Sequence, residues 1–529
     1  MIKNIYEVLA EACKSNAAST FFVRPQKTYA ELLSMVKIRA VKLAKKFDIK
    51  KGDCVALLSG TSAEFLVSYF AILSQGAQAL MLDTGLSKTE HASMMKIAGC
   101  KLALAQKGYF IDGGETKMID IEEPDAENED DFVAADVVRE DIAQISFTSG
   151  TTGTPKIVPL THGNLVGLAE GVLLYGAVIK PGYMFYGFLP LYHIYGVVIN
   201  IIAPVALRCS LLIQPVLNPK EFLKDFAEYK PHVIPAVPRV WEGFYKKIIS
   251  GAKEKKKYTI MRIVLAAQGF LKLVGLGGLV RKVKAPVHEI FGGRVKVLVS
   301  AGATLKPSIR KFFERLGFVV GDCFGLTETT GPGNFNFKFQ LENGKTHWAG
   351  PLPGNKIKIH NPDKNGVGEI WIKGVLVMKG YLNNPQANAE SFENGWFKSG
   401  DLGVIDGKGR LIVKGRRKQI IVLDSGKNVY PDELEDLYLQ NDDILAAAVL
   451  ERTIKGKVVA YGVFQVAPGT TLAKVSLLIK ASNLMIAPYK WVKHFAITED
   501  ELPQTSAKKI KHFEIKKMLD AGAFPVREE

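Results

Sequence analysis

The 529-residue chain is long enough for several structural units built round a sizeable core. Its 47 % hydrophobic, 23 % charged and 9 % aromatic content is that of a folded globular protein and excludes disorder, collagen and coiled coil. Lys and Arg number 69 against 53 Asp and Glu, giving +16, a field that favours polyanionic partners such as nucleotides, coenzymes, nucleic acid or anionic lipid.

The N-terminal stretch MIKNIYEVLAEACKSN predicts a short amphipathic helix carrying Glu7 and Glu11 rather than a secretory signal. Residues 29–82 alternate helix-period stretches (YAELLSMVKIRAVKLAKKF, AEFLVSYFAILSQG) with the compact apolar segment DCVALLSG, an α/β rhythm. The five cysteines, Cys13, Cys54, Cys100, Cys209 and Cys323, lie far apart in sequence and lack CxxC spacing. That argues against a disulfide framework or a structural zinc site and for a reducing cytoplasm. The acidic stretch EEPDAENEDD at 122–131 predicts a solvated loop. Residues 194–207 form the most membrane-like run, but it is too short for a span and contains Gly196, Asn200 and Pro204, so it predicts buried core. Between 246 and 284, eleven Lys or Arg stand against Glu254 alone, interleaved with apolar pieces. Both an ordinary surface helix and a membrane-surface segment have that composition. Short β-like segments follow at 295–299, 319–324, 369–372 and 411–413, and a compact α/β tail runs from about Gly415 to the basic peptide QTSAKKIKHFEIKK. A domain boundary is expected near Gly415, giving residues 1–415 and 416–529.

The most informative segment is ISFTSGTTGTPKIV at 145–158, where a β-like run enters a loop containing Thr148, Ser149, Gly150, Thr151, Thr152, Gly153 and Lys156. Glycines let successive backbone N–H groups turn toward an anion, hydroxyls add donors without bulk, and a lysine supplies compensating charge. The loop suits phosphate but lacks the GxxxxGK[ST] spacing of a Walker A motif.

The order TSGTTGTPK resembles the phosphate-binding signature of the adenylate-forming (AMP-binding) superfamily, and further segments follow in that family's order over residues 29–519. LPLYH at 189–193 is similar to its substrate gate, VSAGATL at 299–305 to its adenine-flanking strand and GDCFGLTETTG at 321–331 to its nucleotide motif. WFKSGDLG at 396–403, GRRKQIIVLDSGKNVYPDELE at 415–435 and LPQTSAKKIKH at 502–512 resemble its ribose, hinge and catalytic-lysine regions. The resemblance implies an α/β fold with a large multi-subdomain N-terminal adenylating domain of mixed sheets and helices, and a small mobile α+β C-terminal domain. It also implies ATP-dependent activation of a carboxylate followed by transfer to a thiol, with Mg²⁺ as cofactor and ATP and coenzyme A as substrates.

Carried over residue by residue, the resemblance makes Lys509 the main catalytic residue, although Lys508 stands where the family usually has glycine. Glu328, beside Thr327, is expected to hold Mg²⁺ together with ATP phosphates and water. Nucleotide contacts are expected from Gly302, Ala303 and Thr304, and from Asp322, Cys323, Phe324 and Gly325, with Phe324 stacking on adenine in place of the family's tyrosine. Asp401 is expected to bind the ribose with help from Arg416, and Lys418 to be the hinge, followed by Gln419 where an acidic residue is more usual. Gly426 and Lys427 are expected to line the path of the coenzyme A thiol arm, and His193 to gate the acyl pocket or position the carboxylate.

VPRVWEGFYKKI at 237–248 and DSGKNVYP resemble long-chain fatty acyl-CoA synthetases, so the acid is expected to be a medium- to long-chain fatty acid, with the apolar segments 189–197 and 271–279 as candidate tunnel walls. One alternative acceptor is the phosphopantetheine of an acyl carrier protein. The other reading is an inactive, basic homologue that binds nucleic acid or membrane, although no nucleic-acid module is present and none is expected as partner. The expected place is the cytoplasm, with peripheral contact to an anionic inner membrane face as an option.

Overall fold

The computed structural model contains two compact units, residues 1–356 with 372–397 and residues 357–371 with 398–529. It describes every residue except 1, 112, 149–155, 217, 337, 341–345, 349, 426, 505–509 and 525–529, and no side chain within 335–349. Gly415 lies inside the second unit, within the strand Leu411–Arg416.

The first unit builds two sheets from strands β1 (Thr20–Phe22), β2 (Lys27–Thr28), β3 (Cys54–Leu58), β4 (Gln78–Met81), β5 (Cys100–Ala105), β6 (Lys117–Asp120), β7 (Ile142–Thr148) and β8 (Lys156–Thr161), continuing with β9 (Met184–Gly187), β10 (Ser210–Ile213), β11 (Val233–Ala236), β12 (Val297–Ser300), β13 (Val319–Leu326) and β14 (Gly331–Asn336). The six-stranded sheet runs β6-β5-β3-β4-β7-β8 and the eight-stranded sheet β14-β13-β12-β11-β9-β10-β1-β2. The β9–β13 core of the larger sheet is parallel, and its order reverses direction at β9, which has β10 on one side and β11 on the other. Ligands of open parallel sheets bind beyond the C-terminal ends of the strands near such a reversal. The segments at 189–193, 302–304 and 324–328 all follow or end strands of this group.

Local sequence explains the helices. Helix Ile5–Asn16 starts at Asn4, whose side chain accepts the Glu7 N–H, and Tyr29–Phe47 starts with a capping box between Thr28 and Glu31. Residues 196–207 are buried and Ile194 and Tyr195 half-buried, as expected of core, but the middle of the run, Val197–Ile202, is a π-helix. The acidic stretch at 122–131 is more than a solvated loop. Asp125 is bound by Arg39 Nε at 2.7 Å and by Lys42 Nζ at 3.2 Å, two buried cations on helix Tyr29–Phe47, and Glu123 Oε1 lies 3.8 Å from the same Lys42 Nζ. Cys54 and Cys100, distant in sequence, are neighbours on β3 and β5, with their sulfurs 2.9 Å apart.

His162 opens the helix His162–Val172 with its ring buried, its Nδ1 accepting the Ile5 N–H at 3.4 Å and its Nε2 without a partner among the described residues. Burial lowers its pKa from 6.5 to about 4, against an opposing pull from Asp141. The unfolded chain therefore binds a proton that the folded one refuses. This share of stability is complete above pH 6.5 and is lost as pH falls toward 4. We expect a loss of about 3 kcal/mol over that window, and His162→Asn should remove most of it in urea titrations at neutral and acid pH.

The second unit pairs Ile444–Ile454 antiparallel with Lys457–Val466 and places His494–Thr498 parallel beside the latter. Helices Pro431–Tyr438 and Leu472–Asn483 belong with one apolar cluster around Phe464, and His512–Asp520 with a second around Tyr461 and Ile515, an α+β arrangement with a layer on each face of the sheet.

Candidate active site

β7 and β8 are antiparallel with Thr148 opposite Lys156, so the loop bearing Ser149, Gly150, Thr151, Thr152 and Gly153 joins two paired strand ends. Those five residues lie outside the described residues. Lys156, half-buried at the start of β8, sets its Nζ 4.7 Å from the centre of the Tyr381 ring. The Tyr381 hydroxyl in turn donates to Glu328 Oε1 at 2.9 Å. A cation at the mouth of the phosphate-type loop, a phenol and a carboxylate are thereby joined through one buried tyrosine. Tyr381 is absent from the sequence expectations because a tyrosine in Gly-Tyr-Leu-Asn-Asn-Pro reads as an ordinary turn residue.

Glu328 sits in the 3₁₀ turn Thr327–Thr329 between β13 and β14, and its backbone carbonyl accepts the Met378 N–H at 2.9 Å. The turn is capped by Thr329, whose Oγ1 accepts the Leu326 N–H at 2.9 Å, so neither Thr327 nor Glu328 is consumed in capping. Thr330 adopts φ +55° and donates from Oγ1 to Leu376 O at 2.6 Å, fixing the exit of the turn.

Upstream, β12 and β13 are parallel with Ser300 opposite Asp322. Gly302, Ala303 and Thr304 are exposed beyond the end of β12, and Gly302 has φ +87°, a conformation that glycine adopts freely. The Leu305 N–H binds the Asp322 carboxylate, tying this loop to β13. Burial raises the Asp322 pKa to about 6 against the attraction of Arg310 and the Leu305 bond. Alternation along the strand separates the neighbours: Asp322 and Phe324 are half-buried, whereas the Cys323 side chain is in the core and offers only its backbone. Gly325 is the residue at which the β13–β14 register shifts.

The LPLYH segment leaves β9 and is pinned at Leu189, whose carbonyl accepts from Thr61 Oγ1 at 3.1 Å and from Asn200 Nδ2 at 3.0 Å. Gly196 passes so close to the Pro190 carbonyl that a Cβ there would lie 1.9 Å from its oxygen. His193 Nε2 stands 3.9 Å from Asp83 Oδ2, and burial lowers the histidine pKa, with Asp83 opposing, which favours the neutral ring. The helix that follows borders an apolar cavity of about 30 Å³ with Val198, Ile199, Val297 and Val299 among its walls. The segment at 271–279, the other candidate tunnel wall, lies largely on the surface.

In the second unit Asp401 and Arg416 are cross-strand partners, with Arg416 Nε 2.8 Å from Asp401 Oδ1. Asp401 is 5 % exposed, and a carboxylate oriented by one arginine keeps acceptor capacity for other donors. Lys418 is exposed in the 3₁₀ turn Arg417–Gln419. Lys427 is exposed with its Nζ 4.6 Å from the Tyr489 ring centre, at the end of a hairpin loop whose Gly426 lies outside the described residues. Lys509 also lies outside them. Its flanks are fixed: Gln504 pairs with Ile510, and Lys511 N–H donates to Pro503 O at 2.9 Å. Beyond them, His512 Nε2 meets Glu435 Oε1 at 2.6 Å and its Nδ1 meets Gln419 Nε2 at 3.2 Å, joining the base of the lysine loop to the residue after Lys418. Sequence reading missed this trio because its members are separated by 16 and 77 positions.

Among the described residues no group of three or more His, Cys, Asp or Glu forms a metal cage. Glu328, a carboxylate with one oxygen engaged by Tyr381, fits Mg²⁺ of the kind held chiefly by substrate phosphates and water.

Residues 9–382 match the AMP-binding enzyme family. The long-chain-fatty-acid–CoA ligase FadD15 of Mycobacterium bovis is 30 % identical over 80 % of this chain and 74 % of its own length. The 2-succinylbenzoate–CoA ligase of Bacillus velezensis is 30 % identical over 81 % of this chain and 80 % of its own. Among solved structures, the o-succinylbenzoate coenzyme A synthetase of Bacillus subtilis in complex with ATP and magnesium superposes with a TM-score of 0.75 at 24 % identity, covering 96 % of this chain and 99 % of that one, a likeness of fold. With a large N-terminal part of mixed sheets and helices followed by a C-terminal part, this chain belongs to the AMP-binding enzyme family.

Proposed function

We propose that the protein is an ATP-dependent, AMP-forming acid–thiol ligase that converts a medium- to long-chain fatty acid into its coenzyme A thioester. The observation that carries the adenylating half is the Lys156–Tyr381–Glu328 arrangement at the end of the phosphate-type hairpin. Coenzyme A as acceptor is supported by two relatives of different acid specificity that are both named CoA ligases.

In the first step a carboxylate oxygen attacks the α-phosphorus of ATP, the bond to the β-phosphate bridging oxygen breaks, and pyrophosphate leaves. In the second, the thiolate attacks the acyl carbonyl and AMP leaves with the bonding pair. Negative charge develops on phosphate oxygens in the first step, so fixed cations and donors there do most of the work. Lys156 and the backbone of 149–155 receive the outgoing phosphates, and Lys509 the α-phosphate and attacking carboxylate. Asp401, aligned by Arg416, takes the ribose hydroxyls, and Phe324 the adenine face. Bound beside Glu328, Mg²⁺ would neutralise charge on the phosphates. Turning about Lys418 exchanges the lysine loop for the thiol path past Gly426 and Lys427 between the two steps.

A fatty acid is favoured by the VPRVWEGFYKKI likeness and by the similarity to a long-chain-fatty-acid–CoA ligase. The succinylbenzoate ligase relative supports a second reading, an aromatic acid with an additional carboxylate. Such an acid needs a second cation in its pocket to meet the additional carboxylate. Pyrophosphate release with acids from acetate to oleate and with succinylbenzoate, each with and without coenzyme A, separates them. The proposal expects turnover to rise with chain length and AMP to accumulate with coenzyme A and no carrier protein. Preference for succinylbenzoate or dependence on a carrier protein would replace it.

Tyr381→Phe keeps a ring under Lys156 and removes the hydroxyl from Glu328. Losing one hydrogen bond to a charged group should cut kcat/KM for adenylation about tenfold and raise the Mg²⁺ requirement, with little change in unfolding midpoint. Equal rates for variant and wild type across a Mg²⁺ titration would separate Tyr381 from the site.

A further inference from the structure

We propose that the helical segment at 258–290 is a docking surface for an anionic lipid bilayer. The inference goes beyond the proposed reaction and holds whichever acid is activated. The segment is built from helices Tyr258–Ala266, Gln268–Leu273 and Gly277–Ile290, packed on one another. Its apolar residues divide into two sets. Met261, Val264, Leu265, Val280 and Val287 are buried and anchor the helices to the first unit. Ile263, Phe270, Leu273, Val274 and Leu276 point the other way, with Phe270 66 % and Leu273 85 % exposed. Single exposed apolar residues are ordinary, but several grouped within one short segment mark an interaction surface.

The charge around this patch identifies the occupant. Lys255, Lys256, Lys257 and Arg262 flank it on the N-terminal side, Lys272 stands within it, and Arg281 and Lys282 follow it, all exposed. No acidic residue lies between Glu254 and Glu289. Apolar side chains at acyl depth, with Lys and Arg at headgroup level, form the pattern of an interfacial helix on anionic lipid. A second copy of the chain would bring two such cationic rims together and be repelled. Nucleic acid would leave Leu273, Val274 and Leu276 without partners, since only bases stack and only on rings. Among the described residues no helix is long and apolar enough to cross a membrane, so contact through this segment lies in the interface plane.

The test is co-sedimentation of the full chain with vesicles of phosphatidylcholine alone and of phosphatidylcholine with about one-third phosphatidylglycerol, at about 0.1 M and about 1 M salt. Wild type should bind the anionic vesicles at least about tenfold more tightly at low salt, with the preference shrinking at high salt. The triple variant Phe270→Ser, Leu273→Ser, Leu276→Ser should lose binding to both vesicle types. The variant Lys272→Glu, Arg281→Glu, Lys282→Glu should lose the preference for anionic lipid. Both should retain the wild-type far-ultraviolet circular dichroism and unfolding midpoint, which separates a surface effect from misfolding. Binding that is absent, or equal on neutral and anionic vesicles, overturns the proposal. So does a wild-type dimer in sedimentation velocity that the serine variant converts to monomer, which would make a second copy the occupant.

Discussion

Lys509→Ala is expected to lower acyl-adenylate formation by about 10²- to 10³-fold, the usual cost of removing one fixed donor from developing negative charge. Transfer to coenzyme A from supplied acyl-adenylate should stay near wild type, because in the proposed turn about Lys418 the lysine loop has left the α-phosphate before AMP departs and its phosphate gains negative charge. The asymmetry is the informative feature, since a structural lysine would weaken both half-reactions together. Lys508→Ala is the control for position, because the two lysines are adjacent and only one can face the phosphorus. The measurement is single-turnover formation of adenylate beside single-turnover consumption of it. If both rates fall equally, Lys509 has another role, and if Lys508→Ala gives the larger asymmetric loss, the catalytic position moves by one residue.

Gly325→Ala is expected to destabilise the first unit by about 3–5 kcal/mol and to abolish adenylation with it. A methyl at this position would sit 1.9 Å from the Gly331 carbonyl oxygen and 2.6 Å from Pro332 Cα, both backbone atoms of the facing strand β14. Neither can yield without opening the hairpin at the point where its register shifts, next to the turn that carries Glu328. Gly333→Ala, whose methyl would find Leu376 Cδ1 at 3.4 Å, should change stability by less than about 1 kcal/mol. Urea unfolding of both variants checks the contrast, and a Gly325→Ala protein as stable as wild type would show that the hairpin tolerates a wider separation.

What could be read from the sequence follows from which interactions are local. The helices Ile5–Asn16, Tyr29–Phe47 and Ala63–Ser74 and the strand Cys54–Leu58 are legible because periodicity and caps are written within a few residues of one another. Family likeness extends that reach to the order of the motifs, and the parallel pairing of β12 with β13 does bring VSAGATL beside GDCFG. Long-range chemistry is not legible. Nothing near Asp125 announces Arg39 and Lys42, and nothing in KGYLNNP announces that Tyr381 bridges Lys156 and Glu328. Orientation is equally hidden: composition made residues 271–279 a plausible tunnel wall, yet their apolar side chains face outward, because Met261, Val264 and Val280 already occupy the inner face.

Carboxylate-dependent exchange of labelled pyrophosphate into ATP, in the presence of Mg²⁺ and without coenzyme A, tests the adenylation chemistry most directly. The wild-type protein should incorporate label only when an acid such as palmitate or oleate is present, and should lose that incorporation when Glu328 is replaced by Gln. Absence of exchange with every acid, or exchange that proceeds equally without any acid, would contradict the account.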